Sequence, residues 1–384
     1  MDFSLNEDQQ MMKDAAREFC EKRVFPHAEE WDKAGAIPDE VLKEAGELGY
    51  MGLLIPDEYG GLDVDTVTYV CVMEEFARAC ASLEIVLSVH NSLVCHAISK
   101  FGSDAVKAKY LPKLATGEHI GAYCLSEPGA GTDAGSLRTV AVKDGDEYIC
   151  NGTKSWVTNG GIADIFLVFV KTNPEAGPKG ISCLVFEKDT PGLTLGKPED
   201  KLGIKASDTR EVALADARVA TTEIVGDENR GFPIALSILD SGRIGVAAQA
   251  VGIAQAAMEE SVKYAQEREQ FGQPIANFQA IQFKLADMAM KVDAARLLTL
   301  RAAHLRDQPD LRPSKEISIA KLYASEIANW VANEAVQIHG GYGYIKEYPV
   351  ERYFRDARIT EIYEGTSEAQ RIVISRAILK EGAI

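Results

Sequence analysis

Tyr123-Cys124-Leu125-Ser126-Glu127-Pro128-Gly129-Ala130-Gly131-Thr132-Asp133 lies where the chain changes character, and its reading decides the fold. A scan for glycine patterns picks out Gly129-x-Gly131-x-x-Ala134, which suggests a dinucleotide fingerprint. That fingerprint needs a strand before it, a helix after it and a parallel βαβ unit. Here Pro128 immediately precedes the glycines and β-prone runs come after them, so a Rossmann unit is rejected. What survives is physical. Gly129 and Gly131 carry no side chain, so backbone N–H groups can approach a phosphate or a polar ring edge. The same residues also read as a plain surface turn.

Outward from this stretch, residues 4–118 read as helical. Ser4 can cap a helix opening Leu5-Asn6-Glu7, with Met11, Ala15, Phe19 and Val24 at helical spacing and Pro26 as an interruption. Pro38 starts a second helix that ends at Gly49, residues 55–61 form a turn-rich loop, and residues 63–79 and 83–101 read as buried helices. Ser103 caps one more, through Leu111. On the other side, Thr139-Val-Ala-Val-Lys143, Glu147-Tyr-Ile-Cys-Asn151, Ile165-Phe-Leu-Val-Phe-Val-Lys171, Ile181-Ser-Cys-Leu-Val-Phe186 and Glu211-Val-Ala-Leu214 read as strands. Gly145-Asp146 and Asn151-Gly152 supply turns. Strands this close, without helices between them, predict antiparallel pairing in a small barrel or sandwich. From Pro233 three long helices, about 234–267, 278–304 and 313–337, predict an antiparallel bundle. The expected class is α+β: an N-terminal α-helical domain (1–119), a small β-barrel or sandwich domain (120–234) and a four-helix-bundle-like domain (235–384).

The length of 384 residues suits two or three domains. A net charge of -17 argues against a nucleic-acid backbone or an anionic membrane as partner, while leaving room for a local basic pocket. Seven cysteines without a C-x-x-C pair read as reduced, buried small hydrophobes. Six scattered histidines show no ligand spacing, so no metal site is expected. The start, Met1-Asp2-Phe3-Ser4-Leu5-Asn6-Glu7-Asp8, has neither signal-peptide nor transit-peptide character. The longest apolar run, near residues 83–94, is broken by Glu84, His90 and Asn91 and reads as too short for a membrane span. A cytoplasmic protein is expected, with a mature mitochondrial matrix form also open.

Five further stretches carry chemistry. In Lys154-Ser155-Trp156-Val157-Thr158-Asn159, Trp156 and Thr158 share a strand face and offer a flat ring beside a hydroxyl; the plainer reading is a core Trp. In Arg268-Glu269-Gln270-Phe271-Gly272, Arg268 suits a phosphate or the end of a helix dipole. Gln337-Ile338-His339-Gly340-Gly341 ends a long helix with one glycine more than a cap needs, which suits close backbone approach to a ligand. In Asp240-Ser241-Gly242-Arg243 the two charged residues share a helical face, as a salt bridge or a ligand contact. Finally Arg358-Ile-Thr-Glu-Ile-Tyr-Glu-Gly-Thr-Ser-Glu-Ala-Gln-Arg371 places Glu364 on a short turn before a helix, with Ser367-Glu368-Ala369-Gln370 reading as a capping box. A carboxylate so placed suits a catalytic base, or merely complements the helix dipole.

In their order and spacing, Leu125-Ser-Glu-Pro-Gly-Ala-Gly-Thr-Asp133, Lys154-Ser-Trp-Val-Thr-Asn159, Arg268-Glu-Gln-Phe-Gly272, Gln337-Ile-His-Gly-Gly-Tyr-Gly343 and Tyr363-Glu-Gly-Thr-Ser-Glu368 resemble the acyl-CoA dehydrogenase family over essentially the whole chain. The resemblance implies FAD between the β domain and the C-terminal helices. Residues Tyr123 to Thr132 would lie against the flavin, with Trp156, Val157 and Thr158 beside it. Arg268, Phe271 and Gln279, with Gln337, Ile338, His339, Gly340 and Gly341, would meet the FAD of a neighbouring subunit in a homotetramer built as a dimer of dimers. Thr366, Ser367 and Glu368 would also contact FAD. Thr132, Asp240, Ser241, Gly242, Arg243 and Gly365 would line the acyl-CoA site.

The implied chemistry has Glu364 take the α-proton of an acyl-CoA thioester while the β-hydrogen leaves as hydride to the flavin. A trans-2-enoyl-CoA results, and electrons pass to an electron-transfer flavoprotein. Burial is expected to raise the Glu364 pKa towards neutrality. Some members of the family carry the base on the long C-terminal helix, at the position of Gly242, which cannot act here. The Leu239-Asp-Ser-Gly-Arg243 and Tyr363-Glu-Gly-Thr-Ser-Glu368 forms look most like short-chain, butyryl-type members, with branched chains also open. Two alternatives on the same scaffold are an oxygen-using oxidase and a catalytically silent assembly subunit.

Overall fold

The computed structural model describes residues 4–381. Its first third is helical. Helix α1 (Glu7–Phe19) is capped by Asn6, whose side chain accepts from Gln9 N while Gln9 returns a bond to the Asn6 N–H. The cap thus falls two residues after Ser4, the residue expected to open the helix. Pro26 does not break the helical path. The helix widens to a π turn over Cys20–Val24, tightens to 3₁₀ over Phe25–His27 and continues as α2 (Ala28–Ala34). Proline is tolerated there because the first turn of a new helical segment leaves its N–H unused.

Helices α3 (Asp39–Glu47), α4 (Thr66–Ala79), α5 (Ala81–Ser88), α6 (His96–Phe101) and α7 (Asp104–Ala115) complete this part. The polar interruptions in the apolar run lie on a buried π segment, Val89–Cys95, between α5 and α6. His90 joins two domains: Gly121 N donates to its Nδ1 (3.1 Å), and its Nε2 lies 3.0 Å from Leu114 O. Burial lowers its pKa to about 4, so it serves as a neutral bridge. Ala81–Phe101 and Gly231–Glu267 are in fact long and apolar enough to cross a membrane. However, 94% and 78% of their apolar windows are buried inside the protein, as in core helices.

The middle third is one seven-stranded sheet in the order β1 (Gly121–Cys124), β4 (Ile165–Lys171), β2 (Val140–Asp144), β3 (Glu147–Thr158), β7 (Thr209–Ala220), β6 (Leu193–Leu195), with β5 (Ile181–Glu187) also on β4. The expected antiparallel pairing holds for β2–β3, β3–β7, β4–β5 and β6–β7, but β1 and β2 run parallel to β4. The β2–β3 hairpin supplies the crossover that parallel pairing needs. Asn151-Gly152 is not a turn. It is a register shift inside β3, where a Cβ on Gly152 would lie 2.4 Å from Thr139 Oγ1. Strands β4 and β5 read as unbroken apolar runs because both faces are buried: Ile165, Leu167 and Phe169 join the main helical core, and Phe166, Val168 and Val170 the inner core of the sheet.

The last third holds α8 (Gly231–Glu267), a two-stranded hairpin β8 (Glu269–Gln270) and β9 (Gln273–Pro274), α9 (Gln279–Arg306), α10 (Ser314–His339), α11 (Val350–Ala357) and α12 (Ser367–Glu381). The small residues of α8 allow close packing on α4 and α5. A Cβ on Gly252 would lie 2.5 Å from Glu74 O, and one on Gly245 would lie 2.3 Å from Ser88 Oγ.

One buried ion pair ties the sheet to the loop after β1. Lys154 Nζ donates to Glu127 Oε1 (2.7 Å) and to Leu125 O (3.2 Å). Glu127 also accepts from Arg138 N, Thr139 N and Thr139 Oγ1. Burial opposes both charges, but Lys154 and these donors hold the Glu127 carboxyl below its ordinary value. Lys154→Met leaves that carboxylate buried without its counter-ion. It is expected to cost about 3–5 kcal/mol, read as a large fall in melting temperature.

Candidate active site

Glu364 sits on the turn between a 3₁₀ segment, Arg358–Glu361, and α12. Two successive left-handed residues, Glu364 (φ 52) and Gly365 (φ 97), form it. A non-glycine residue there carries a conformational cost of about 1 kcal/mol or more, so the surroundings must hold it. Three side chains from three helices do so. Arg243 Nε (α8) donates to Glu364 O at 3.2 Å, Lys321 Nζ (α10) to Gly365 O at 2.8 Å, and Gln370 Nε2 (α12) to Gly365 O at 2.9 Å and Glu364 O at 3.3 Å. Gly365 has φ 97, where any side chain is strained, and a Cβ there would push against Gln370 Nε2 at 2.7 Å. The expected capping box does not form: a simple cap one residue earlier takes its place, Thr366 Oγ1 accepting from Ala369 N (3.3 Å), which leaves the Gln370 side chain for the turn.

The Glu364 residue is partly exposed, yet both carboxylate oxygens are buried and have no hydrogen-bond partner among the described residues. They lie against the surface of α8 where Gly242 removes a side chain. A Cβ on Gly242 would come 2.0 Å from Glu364 Oε2 and 2.7 Å from Leu93 Cδ2. Gly242 therefore makes the space that the carboxylate fills. Burial pushes the Glu364 pKa up to about 7, against the opposing charges of Lys321 and Arg243. Lys321, wholly buried, is itself lowered to about 8, chiefly by burial. The Tyr123 hydroxyl from β1 is buried and likewise has no hydrogen-bond partner among the described residues, within electrostatic reach of Glu364 and Arg243.

Beside the turn opens a cleft of about 1150 Å³. Lys100, Arg230, Arg243, Arg306 and Arg312 line it against Asp227, Asp240 and Asp310, a local basic excess in an acidic chain. Asp240 and Arg243 pair at 2.9 Å as their spacing predicts, and Asp240 also accepts from Ser314 Oγ (2.5 Å). Arg306 Nη2 lies 3.1 Å from Ser241 Oγ and 3.1 Å from His96 Nε2. Burial, then Arg306 and Lys100, lower His96 to about 3, so it stays neutral and can accept from the guanidinium.

The loop after β1 and the end of β3 come together, because Ser155 N donates to Ser126 O at 2.9 Å. Pro128, Gly129, Gly131 and Thr132 are exposed, and a Cβ on either glycine would meet nothing. Cys124, Leu125 and Ala130 are buried, and the Glu127 side chain is committed to Lys154, so only the backbone of these four could face a ligand. Trp156 is not core. It has φ 60 at a β-bulge and is 67% exposed, while Val157 between it and Thr158 is buried. The bulge turns the Trp156 ring out beside the loop.

A second cluster lies at the far end of α8. Arg268 stacks on Tyr342 (5.4 Å) and, with Ile338, His339, Gly340 and Gly341, lines a cavity of about 530 Å³. A Cβ on Gly340 or Gly341 would meet nothing within 4 Å. Phe271, 93% exposed, and Gly272 form the positive-φ turn of the β8–β9 hairpin. Gln279 and Gln337 are exposed and do not line the cavity. From Arg243 to Arg268 is 25 residues of one helix, about 38 Å, so the two clusters cannot serve the same ligand within one subunit.

Models of the N-terminal, middle and C-terminal domains of acyl-CoA dehydrogenases match residues 6–118, 122–217 and 229–379. The chain belongs to the acyl-CoA dehydrogenase family. It is 46% identical to the short-chain specific acyl-CoA dehydrogenase of Clostridium acetobutylicum, over 99% of this chain and 100% of that one. The butyryl-CoA dehydrogenase structure from Megasphaera elsdenii superposes with a TM-score of 0.96 at 45% identity, covering 99% of this chain and 100% of that one. A chain in a solved structure of the electron transferring flavoprotein of Acidaminococcus fermentans does so at 0.97 and 48% identity, covering 99% and 100%. The acyl-CoA dehydrogenase fold, with helical, β and helical parts in that order, is thus shared over the full length, and the chain is an oxidoreductase of this family.

Lys321 and Gln370 are not singled out by sequence reasoning. Lys321 carries a signal: it occupies the apolar face of α10, four residues after Ile317 and three before Ala324. Gln370 reads as half of a capping box instead.

Gly242→Ala is expected to displace the Glu364 carboxylate and lower the rate of flavin reduction by acyl-CoA at least about a hundredfold, with a fall in melting temperature. The Glu364 pKa also has a stability consequence. Because folding raises it from 4.5 to about 7, the native state holds this proton more tightly than the unfolded chain. Its contribution, about 3 kcal/mol, is full below pH 4.5 and lost as pH rises through about 7. Urea midpoints at pH 5 and 7.5 should differ less in Glu364→Gln than in the native chain.

Proposed function

We propose that Glu364 is the base of an α,β-dehydrogenation of short acyl-CoA thioesters. The observation that carries this reading is its carboxylate: buried, without a hydrogen-bond partner among the described residues, seated on the bare backbone of Gly242, and with a pKa raised to about 7. A base for a weakly acidic α-carbon works best when its pKa lies near the working pH and nothing else occupies its lone pairs. The grip of Arg243, Lys321 and Gln370 on the turn fixes its direction. The Glu364 N–H has no acceptor among the described residues and is available to the thioester oxygen, where negative charge develops. Gly365 lets the Gln370 side chain close on the turn beside the base.

The phosphates of CoA suit the basic cleft, with Arg230, Arg306, Arg312 and Lys100 as cationic partners. Asp240, through Ser314 and Arg243, holds the cleft wall next to the base. On the other side of Glu364 the space is closed by packed side chains of α4 and α5, including the hydrogen-bonded pair Tyr69–Ser88 (3.0 Å), which favours short acyl chains.

The family uses FAD, and the residues present fit it. The exposed Trp156 ring, Thr158 and the bare backbone at Gly129 and Gly131 form a platform near Tyr123, whose hydroxyl faces the Glu364 region. Bound FAD supplies the two-electron acceptor at the β-carbon. The Arg268, Gly340 and Gly341 cavity suits a pyrophosphate approached by backbone N–H groups. In this reading it serves the FAD of a neighbouring subunit, in a homotetramer built as a dimer of dimers, which is consistent with its separation of about 38 Å from Arg243 along α8. Thr366, Ser367 and Glu368 sit at the α12 N-terminus, where Glu368 is exposed and Ser367 buried; they face a bound cofactor in this reading. The likeness to a chain in an electron transferring flavoprotein structure supports a partner of that kind.

Butyryl-CoA added anaerobically should bleach the flavin band, and Glu364→Gln should slow this by about 10²–10⁴-fold. Equal bleaching in that variant would sink the assignment. For the native enzyme kcat/KM should rise with pH to a plateau above about 7. Lys321→Met, which removes a charge favouring the carboxylate, should move that midpoint upward. Reduced enzyme should pass electrons to an electron-transfer flavoprotein much faster than to oxygen.

A further inference from the structure

We propose that Glu84 selects the substrate: its carboxyl closes the acyl side of the site and hydrogen-bonds a hydroxyl or carbonyl oxygen at the far end of a short acyl chain, while disfavouring chains that end in a carboxylate. This rests on the Glu364 turn being the place of the α-carbon chemistry.

Glu84 lies on α5 and is 0% exposed, and neither carboxyl oxygen has a hydrogen-bond partner of acceptable geometry among the described residues. A buried carboxyl left so is costly unless it is neutral or meets a ligand group. Its position relative to Glu364 follows from the contacts between α8 and the α5 region. Gly242 meets Glu364 and Leu93, Gly245 meets Ser88 and Tyr69, and Gln249 Nε2 donates to Ala81 O (3.0 Å). These contacts run antiparallel, so Glu84 falls between one and two turns of α8 beyond the Glu364 carboxylate, within about 10 Å.

The neighbours of Glu84 are already occupied. Tyr69 and Ser88 bond each other, Gln249 Nε2 donates to Ala81 O and Gln249 Oε1 accepts from the Tyr363 hydroxyl; Ser88 and Gln249 also lie close enough to favour the charged form of Glu84, but neither makes a well-formed hydrogen bond to it. Glu84 therefore keeps both carboxyl oxygens without a well-formed hydrogen bond among the described residues. Burial, then the nearby Glu364, push its pKa well above the carboxylate range. As a neutral acid it both donates and accepts, which matches a hydroxyl or carbonyl. A terminal carboxylate would add another negative group to a buried region that already holds Glu84 and Glu364.

The test uses FAD-loaded enzyme in the Glu364→Gln background, so that thioesters bind without turnover. Calorimetry gives Kd for butyryl-CoA, 4-hydroxybutyryl-CoA and glutaryl-CoA, with Glu84 native, Glu84→Gln and Glu84→Leu. Native Glu84 should favour the hydroxylated chain over butyryl by about fivefold. Glu84→Gln should keep most of that preference, Glu84→Leu should abolish or reverse it, and glutaryl-CoA should bind weakest wherever Glu84 is native. A hydroxy-to-butyryl ratio unchanged across the three, whatever their melting temperatures, overturns the proposal. Bleaching by butyryl-CoA in the chain with native Glu364 checks the underlying reading separately.

Discussion

A carboxylate held away from water on a strained turn is the constraint on which the rest of this structure depends. The Glu364–Gly365 turn is unfavourable by itself, and the charge at its tip is unfavourable where it lies. Both are tolerated because two backbone carbonyls meet donors from α8, α10 and α12 at once. Each donor reaches the turn only when its helix is packed. The strain thus couples the local geometry of the candidate base to the assembly of the whole C-terminal bundle. The small residues of α8 complete the arrangement. Gly242 seats the carboxylate, while Gly245 and Gly252 let α4 and α5 come close enough to shut out water. Shutting out water is also what moves the pKa of Glu364 towards neutrality.

The same division runs through the other motif stretches of the chain as a matter of geometry: some residues face outward and others hold them there. In residues 154–159 the ends are pins. Lys154 neutralises Glu127 and bonds the Leu125 carbonyl, and Asn159 Nδ2 bonds Val86 O and Gly121 O, both at 3.1 Å. The centre is the outward part, where a bulge turns Trp156 to the surface. In residues 123–133, Glu127 is the pin and the glycines are the open backbone. A turn that must stay fixed while exposing its N–H groups needs such a buried anchor, since a free loop would fill its own hydrogen bonds or move.

Much of this was legible in sequence. Helical and β segments follow from apolar periodicity, and the carboxylate before α12 stands out because Gly365 and a capping residue mark its turn. The Asp240–Arg243 pair follows from a spacing of three on a helix. The cap positions slipped by one or two residues, because Ser4 and Asn6, or Thr366 and Ser367, are chemically equivalent as caps and only the backbone path chooses between them. Asn151-Gly152 has turn chemistry but lies within a strand, since the glycine is needed where Thr139 crosses. The parallel pairing of β1 with β4 left no local trace, because it joins segments about 40 residues apart. The buried roles of Lys321 and Glu84 were marked only as charges on apolar faces, a signal that does not say what they meet.

By itself the sequence determined the order of helical and β parts, the acidic overall charge with its buried thiols, and the candidate carboxylate on its turn before the last helix. These are properties of local pattern and composition, which need no knowledge of what lies opposite. Only the tertiary structure decided which of those residues share a site. It set Glu364 against Gly242 across 122 residues of chain, placed Arg268 a helix-length away from Arg243, and left Glu84 near Glu364 with a carboxyl that has no well-formed hydrogen bond among the described residues. Such facts depend on close packing between elements distant in sequence, and packing is where burial, pKa and room for a substrate are fixed.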